Sequence, residues 1–362
     1  MKSSPIEQAH LALNAKMADF GGWLMPIEYP ESGVIEEYNA VRNQVGLFDV
    51  SHLGKISVIG EGATEFLNSQ FTNNLNRITN SQAQYTIMCN EAGGVIDDLI
   101  VYKNLDSDYF LIPNASNTTA VFEVLSSKAP IGIAIKNLHE NYGVFAVQGP
   151  KAIDVLKSIG LDLTLDYMEF ANVEFQNKPI VVCRTGYTGE HGYEIIPTSV
   201  DALEIWKALS MAVAGFNGRI CGLGARDILR TEMGYPLHGH ELTLDISPIQ
   251  AVAGWAVDLT KEKFTGKQIL EEQKRLGTKL KLKAIVATDR AIPRKDMLVK
   301  NLAGEQIGRV TSGTFSPALK KGIGLALISS EIGKADRVVV DVRGRDSIFE
   351  VVSLPFVPSR VR

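Results

Sequence analysis

A chain of 362 residues is longer than a single hydrophobic core usually supports, so two or three domains are expected. Hydrophobic residues at 45% and charged residues at 22% are ordinary for a soluble globular protein, with no like-charge block or low-complexity tract to suggest disorder. A net charge of −4 gives no basic footprint for nucleic acid, and no run of about 18 apolar residues is present to cross a membrane. The first residues lack the basic-then-apolar plan of a secretory signal. Cys89, Cys183 and Cys221 are odd in number and widely spaced, which argues for a reducing compartment, with the cytoplasm as the expected location.

The 32 glycines divide the chain into short runs. After a first segment ending near residue 50, Lys55–Gly60 alternates as a strand does. Phe66, Leu67 and Phe71, with Leu75 beyond, follow at helical spacing. QYTIMCNEAGGVIDDLIVYKN reads as a hairpin turning at Asn90–Gly94. Tyr109–Ile112 is a further strand and TTAVFEVLSSK a helix, an order that suits an α+β sandwich of the split βαβ kind. Residues 143–260 mix the strands GVFAVQG, PIVVCRTGYT and GYEIIP with the helices PKAIDVLKSIG, DALEIWKALSMAV and LGARDILRTEMG. KEKFTGKQILEEQKRLGT reads as an exposed, charged connecting helix, and six strand-like runs after it predict a small all-β C-terminal domain.

Three stretches carry chemistry. In GGVIDDLIVY, strand alternation puts Asp97 on a face with Val95, Leu99 and Val101, and Asp98 on the other with Ile96, Ile100 and Tyr102. A carboxylate against such apolar faces needs a partner or a task, and capping of nearby amides is the plain alternative. In RTGYTGEHGYE, Gly186, Gly189 and Gly192 permit tight turns or close approach to a ligand. Tyr187, Tyr193, Glu190 and Glu194 could hold a planar heterocycle, or the stretch is only a glycine-rich hairpin. In GLGARDILRTEMGY, Arg226 and Arg230 share a helix face and could clamp a carboxylate, or could simply pair locally with Asp227. His238 and His240 lie two apart, but no third or fourth ligand follows at supportive spacing, so no metal site is expected. There is no P-loop and no nucleophile elbow.

Taken in order, AKMADFGGWLMPIEY, RNQVGLFDVSHLGKI, NEAGGVIDDLIVY, FAVQGPKA, RTGYTGEHGYE, CGLGARDILRTEMGYPLHGHEL and TSGTFSP resemble the glycine cleavage T-protein family, from about Leu13 to Pro358. The resemblance implies a three-domain α+β folate-binding aminomethyltransferase fold. Its parts would be a core domain of residues 1–50 and 138–260, a ferredoxin-like α+β domain over 51–137, a connector helix at 261–276 and a C-terminal β-barrel over 277–362. It implies transfer of the methylene of an aminomethyl-lipoyl group on H-protein to tetrahydrofolate, giving 5,10-methylene-tetrahydrofolate, ammonia and dihydrolipoyl H-protein. It assigns Asp98 as the catalytic acid. Leu53, Tyr85, Tyr102, Asn114, Tyr167, Tyr187, Glu194, Arg226, Tyr235 and Trp255 would line the folate, with Glu194 reading the pterin. Leu53 stands where the family usually has Met, a change of little volume. Two other readings share the fold: another tetrahydrofolate-dependent demethylase, or a non-catalytic folate-binding iron–sulfur assembly factor. The KGCYxGQE motif of the latter is absent.

Overall fold

A computed structural model describes all 362 residues. The short alternating runs build three sheets and a closed barrel. At the N-terminus Lys2–Ser3 and Lys16–Phe20 flank Trp23–Glu28 in a small ribbon. A buried polar chain holds the first turn of chain against the rest. Ser4 donates to Asp49, His10 Nε2 lies 2.8 Å from the same carboxylate, and the Tyr29 hydroxyl meets His10 Nδ1 at 2.8 Å.

A six-stranded sheet draws on Gly46–Asp49 and on strands between residues 145 and 221, in the order Phe170–Phe175, Lys178–Cys183, Gly192–Pro197, Phe145–Gln148, Gly46–Asp49, Arg219–Cys221. Alternation sends Val147, Tyr193 and Ile195 into one core, beneath the helices Ala152–Ser158 and Ala202–Gly215. Ala146, Cys183 and Ile196 face the other way.

The second sheet is antiparallel throughout, ordered Gln82–Cys89, Val95–Leu105, Asp108–Ile112, Ile56–Ile59, Ala134–Asn137. Its hairpin turns at residues 90–94, where the sequence places it. Gly94 is required there, because a Cβ would sit 1.7 Å from the Leu244 carbonyl oxygen. On the long strand Val95, Asp97, Leu99 and Val101 are buried while Ile96, Asp98 and Ile100 are half-buried, the two faces that alternation predicts. Leu99 and Val101 enter the core under the sheet's own helices, Ala63–Gln70 and Thr118–Lys128. Ile100 and Tyr102 enter a core shared with Ala146, Cys183 and Ile196 of the six-stranded sheet. The face that carries Asp98 is therefore the face where the two sheets meet.

The helix Leu223–Met233 closes this junction, packing on Trp23–Glu28 and on the helix Gly33–Asn43. The connecting helix starts at Lys267 rather than near Lys261. Gly266 takes a left-handed φ of 82°, and Lys261 Nζ turns back to the carbonyl oxygens of Phe71 and Asn73. Beyond it, all six expected runs are strands. They close a barrel in the order Leu280–Ala287, Lys321–Ser329, Gln306–Ser316, Leu298–Lys300, Arg337–Asp341, Asp346–Val352.

Candidate active site

Register explains how Asp98 is held. The pairing of Ile100 with Ile112 puts Asn114 opposite Asp98, just beyond the end of the Asp108–Ile112 strand. Asn114 Nδ2 donates to Asp98 Oδ1 at 3.0 Å. On the other side Ile87 pairs with Asp98 and Tyr85 with Ile100, so Tyr85 stands on the same face one step along. Its hydroxyl donates to Asp98 Oδ2 at 3.0 Å. Burial raises the Asp98 carboxyl above the usual carboxylate range, with His238, Tyr85 and Asn114 acting in the opposite direction.

Asp97 is fully buried on the other face and accepts from three donors. These are the Asn114 backbone N–H at 2.9 Å, Asn114 Nδ2 at 2.9 Å and Asn117 Nδ2 at 2.7 Å. It caps nearby amides, the plainer of the two roles open to it from sequence. Burial first, and Asp98 beside it second, hold the Asp97 carboxyl well above its usual range.

The two arginines of the helix Leu223–Met233 do not act as a clamp. Arg230 is buried and consumed by Asp227 at 2.6 Å, Glu241 at 3.2 Å and the Ser312 hydroxyl at 2.9 Å. Arg226, one turn earlier, meets no carboxylate; its Nη1 is buried without a hydrogen-bond partner. Its guanidinium lies 4.8 Å from the centroid of Tyr187, whose ring is 5.6 Å from that of Tyr235. The Tyr187 hydroxyl donates to the Pro236 carbonyl oxygen.

The glycine-rich stretch also differs from its ligand-cradle reading. A Cβ at Gly186 or Gly192 would meet the Gln148 side chain at 2.1 or 2.3 Å, and one at Gly189 would meet Met233 Sδ at 2.1 Å. The glycines make room for the protein's own side chains. Gln148 donates to the Thr185 carbonyl oxygen at 3.1 Å and accepts from the Thr188 hydroxyl at 2.8 Å. Glu190 is spent on Arg42 at 2.8 Å, and Tyr193 points into the opposite core. What the stretch delivers to the junction is Tyr187 and Glu194. Thr185 donates to Glu194 Oε2 at 2.6 Å, fixing that carboxylate beside Tyr102. The Tyr102 hydroxyl is buried with no partner.

The expected residues thus fall into linked groups. Trp255 stacks on Tyr85 at 5.1 Å, and Tyr85 leads to Asp98 and Asn114. Tyr187 feels the charges of both Asp98 and Arg226, and Arg226 and Tyr167 both feel Glu194. Leu53 packs at the edge of the shared core, next to His52. His52 is a residue that sequence reasoning passed over: buried, with Nδ1 unpartnered and a pKa pushed down to about 3 by burial and then by Arg226. His238 is another. It and His240 lie on a turn, not on a strand face, and diverge. His238 Nε2 meets the Val95 carbonyl oxygen at 3.1 Å beside Asp98, whereas His240 Nδ1 lies 3.0 Å from the Thr311 carbonyl oxygen. No local signal separates the two histidines. A cleft of about 490 Å³ adjoins this assembly but shares only Tyr167 with it.

A carboxylate on a sheet junction, linked through the field at Tyr187 to an unpaired guanidinium and a second carboxylate, is what the fold's relatives must be compared with. The GCVT N-terminal domain matches residues 6–261, and the glycine cleavage T-protein C-terminal barrel domain matches 281–358. The chain belongs to the glycine cleavage T-protein family. An aminomethyltransferase of Parafrankia is 50% identical over 362 residues, covering 100% of this chain and 99% of the relative. That of Mycobacterium tuberculosis H37Rv is 51% identical over 360 residues, covering 99% and 97%. The crystal structure of the glycine cleavage system aminomethyltransferase T of Bartonella henselae superposes with a TM-score of 0.93 at 32% identity, covering 99% of both chains. Membership brings the whole T-protein fold, barrel included. No helix of this family member is long and apolar enough to cross a membrane.

Proposed function

We propose that the chain transfers the methylene of an aminomethyl-lipoyl group on H-protein to tetrahydrofolate, in the cytoplasm, with release of ammonia and dihydrolipoyl H-protein. The observation that carries the reading is Tyr187, which lies in the field of both Asp98 and Arg226, with Arg226 in turn in the field of Glu194. The Arg226 Nη1 and the Tyr102 hydroxyl are buried polar atoms with no protein partner, and a folate rich in ring nitrogens and oxygens supplies the complementary groups.

In this reading Glu194, oriented by Thr185, accepts from the N–H edge of the pterin. Arg226 supplies donors opposite it, and Tyr187, Tyr102, Tyr167 and Tyr235 give flat walls. Leu53 and Trp255 complete the lining. Asp98 holds negative charge at the reacting amine, where it orients the amine, takes a proton from it, and stabilises cationic character as the C–N bond to the leaving ammonia breaks. Tyr85 and Asn114 keep its two oxygens aimed. Protons balance without an outside donor, because the two hydrogens lost by the folate nitrogens appear on ammonia and on the lipoyl thiol.

The test is donor specificity under single turnover. Aminomethylated H-protein is expected to give 5,10-methylene-tetrahydrofolate, and free methylamine or a methylated sulfonium is not. Faster turnover of a sulfonium or an N-methyl amine would assign the chain to a demethylase branch instead. Saturating tetrahydrofolate alone should raise the melting temperature, since a hundredfold excess over Kd adds about 2.7 kcal/mol.

A further inference from the structure

The 490 Å³ cleft behind Tyr167 has the chemistry of a binding site that the transfer reaction does not use. Its volume lies within the range of small-molecule sites, about 300–1,000 Å³. Its walls are half apolar, with Ile153 and Leu165 among them, and three cationic side chains converge on it: Lys157, Arg184 and Arg362.

Arg184 is the decisive one. It is buried, yet its partners are neutral: Nε donates to His191 Nε2 at 3.0 Å, and Nη2 donates to the Val361 carbonyl oxygen at 2.9 Å. It takes part in no ion pair, and neither does Arg362, whose guanidinium lies 5.8 Å from the Tyr167 ring centroid. A buried cation without a carboxylate is costly unless something anionic completes it. Lys157 pairs only with Asp162, at 3.2 Å on the surface, and Asp166 is an exposed acid on the rim.

His191 points the same way. Because its Nε2 accepts from Arg184, the neutral ring carries its proton on Nδ1, and that buried atom has no acceptor. Arg184 lines this cleft with no carboxylate to answer its charge, and His191 beside it lines the same wall.

We propose that the cleft binds an organic carboxylate anion, held by Arg184 and Arg362. Two sources share this chemistry: a free small organic acid, or the glutamyl tail of a folate seated on the other side of Tyr167. The second source rests on the function proposed above; the first does not.

The test uses the full chain and two substitutions, Arg184→Gln and the more exposed Arg362→Gln, each checked for an unchanged melting profile. Calorimetry with citrate and with free γ-linked triglutamate reads the cleft directly. Mono- and triglutamyl tetrahydrofolate read the tail. Each charged hydrogen bond lost should weaken carboxylate binding roughly tenfold to a hundredfold. Binding of a free acid that both substitutions weaken identifies the cleft as a separate anion site. If the triglutamyl form is favoured over the monoglutamyl form, and both substitutions abolish that preference without changing the monoglutamyl affinity, the tail is the occupant. Failure of monoglutamyl tetrahydrofolate to bind would sink the folate reading and leave the free-acid arm intact. If neither substitution alters binding of any of the four ligands, the cleft is not an anion site. Should Arg184→Gln misfold, Arg362→Gln alone decides between these outcomes.

Discussion

Asp97 and Asp98 are adjacent residues of one type, and so, one helical turn apart, are Arg226 and Arg230. In each pair one member has its hydrogen-bonding capacity filled by the protein and the other does not. Asp97 accepts from three amide donors, and Arg230 is enclosed by Asp227, Glu241 and Ser312. Asp98 keeps lone pairs beyond those that Tyr85 and Asn114 engage, and Arg226 keeps a buried nitrogen with no partner. The filled members lie toward the cores and the barrel, and the unfilled ones where the two sheets and the helix meet. Residue type thus says little about which charge the protein answers and which it leaves open. The count of unanswered donors and acceptors says much more.

The contrast can be broken by substitution. Asp98→Asn keeps shape and removes charge, so single-turnover transfer should fall about 10²- to 10⁴-fold with folate affinity largely kept. Full activity in this variant would remove Asp98 from the mechanism. Arg230→Ala strands Glu241 in the interior and should cost about 3–5 kcal/mol in urea unfolding. Arg226→Ala breaks no ion pair and should cost less stability than Arg230→Ala while weakening tetrahydrofolate binding. Equal losses at the two positions would erase the distinction between them.

Asp97→Asn is a gentler test. It turns an amide N–H₂ toward the Asn114 and Asn117 donors and should cost about 1–3 kcal/mol of stability. Because Asn114 also steadies Asp98, a modest drop in turnover is expected as well, smaller than that of Asp98→Asn.

A separate contrast concerns pH. His52 and His139 are buried and neutral, with pKa values lowered to about 3 and about 4, burial being the first cause of each. Between their folded values and about 6.5 the unfolded chain binds more protons than the folded one, so stability rises with pH through that window and is complete above it. Unfolding midpoints measured from pH 7 down to 4 should fall steadily, and His52→Gln should flatten the slope.

Much of the fold is legible in the sequence because it is written in local periods. Alternation alone separates Asp97 from Asp98, places the hairpin turn at residues 90–94 and finds all six barrel strands. What is not legible depends on contacts between distant segments. Gln148 fills the space at Gly186 and Gly192 from more than 35 residues away, which makes a glycine pattern look like a ligand cradle. Arg230 is separated from Arg226 by Ser312 of the barrel, which no helical pattern reports. The surroundings of His52 and His238 depend in the same way on Arg226 and Asp98. Even the late start of the connecting helix, after Gly266, goes with Lys261 turning back to the carbonyls of Phe71 and Asn73.

The stacking of Trp255 on Tyr85 gives the molecule an optical handle. The chain has three tryptophans; Trp23 and Trp206 are buried, whereas Trp255 is 70% exposed. Its indole emission should therefore lie to the red of the other two and respond first to iodide or acrylamide. Because Tyr85 joins it to Asp98, any molecule entering beside that carboxylate displaces solvent from one ring or shifts the other. Fluorescence of the unmodified protein, with Trp255→Phe as the blank, would then follow occupancy of the junction in real time.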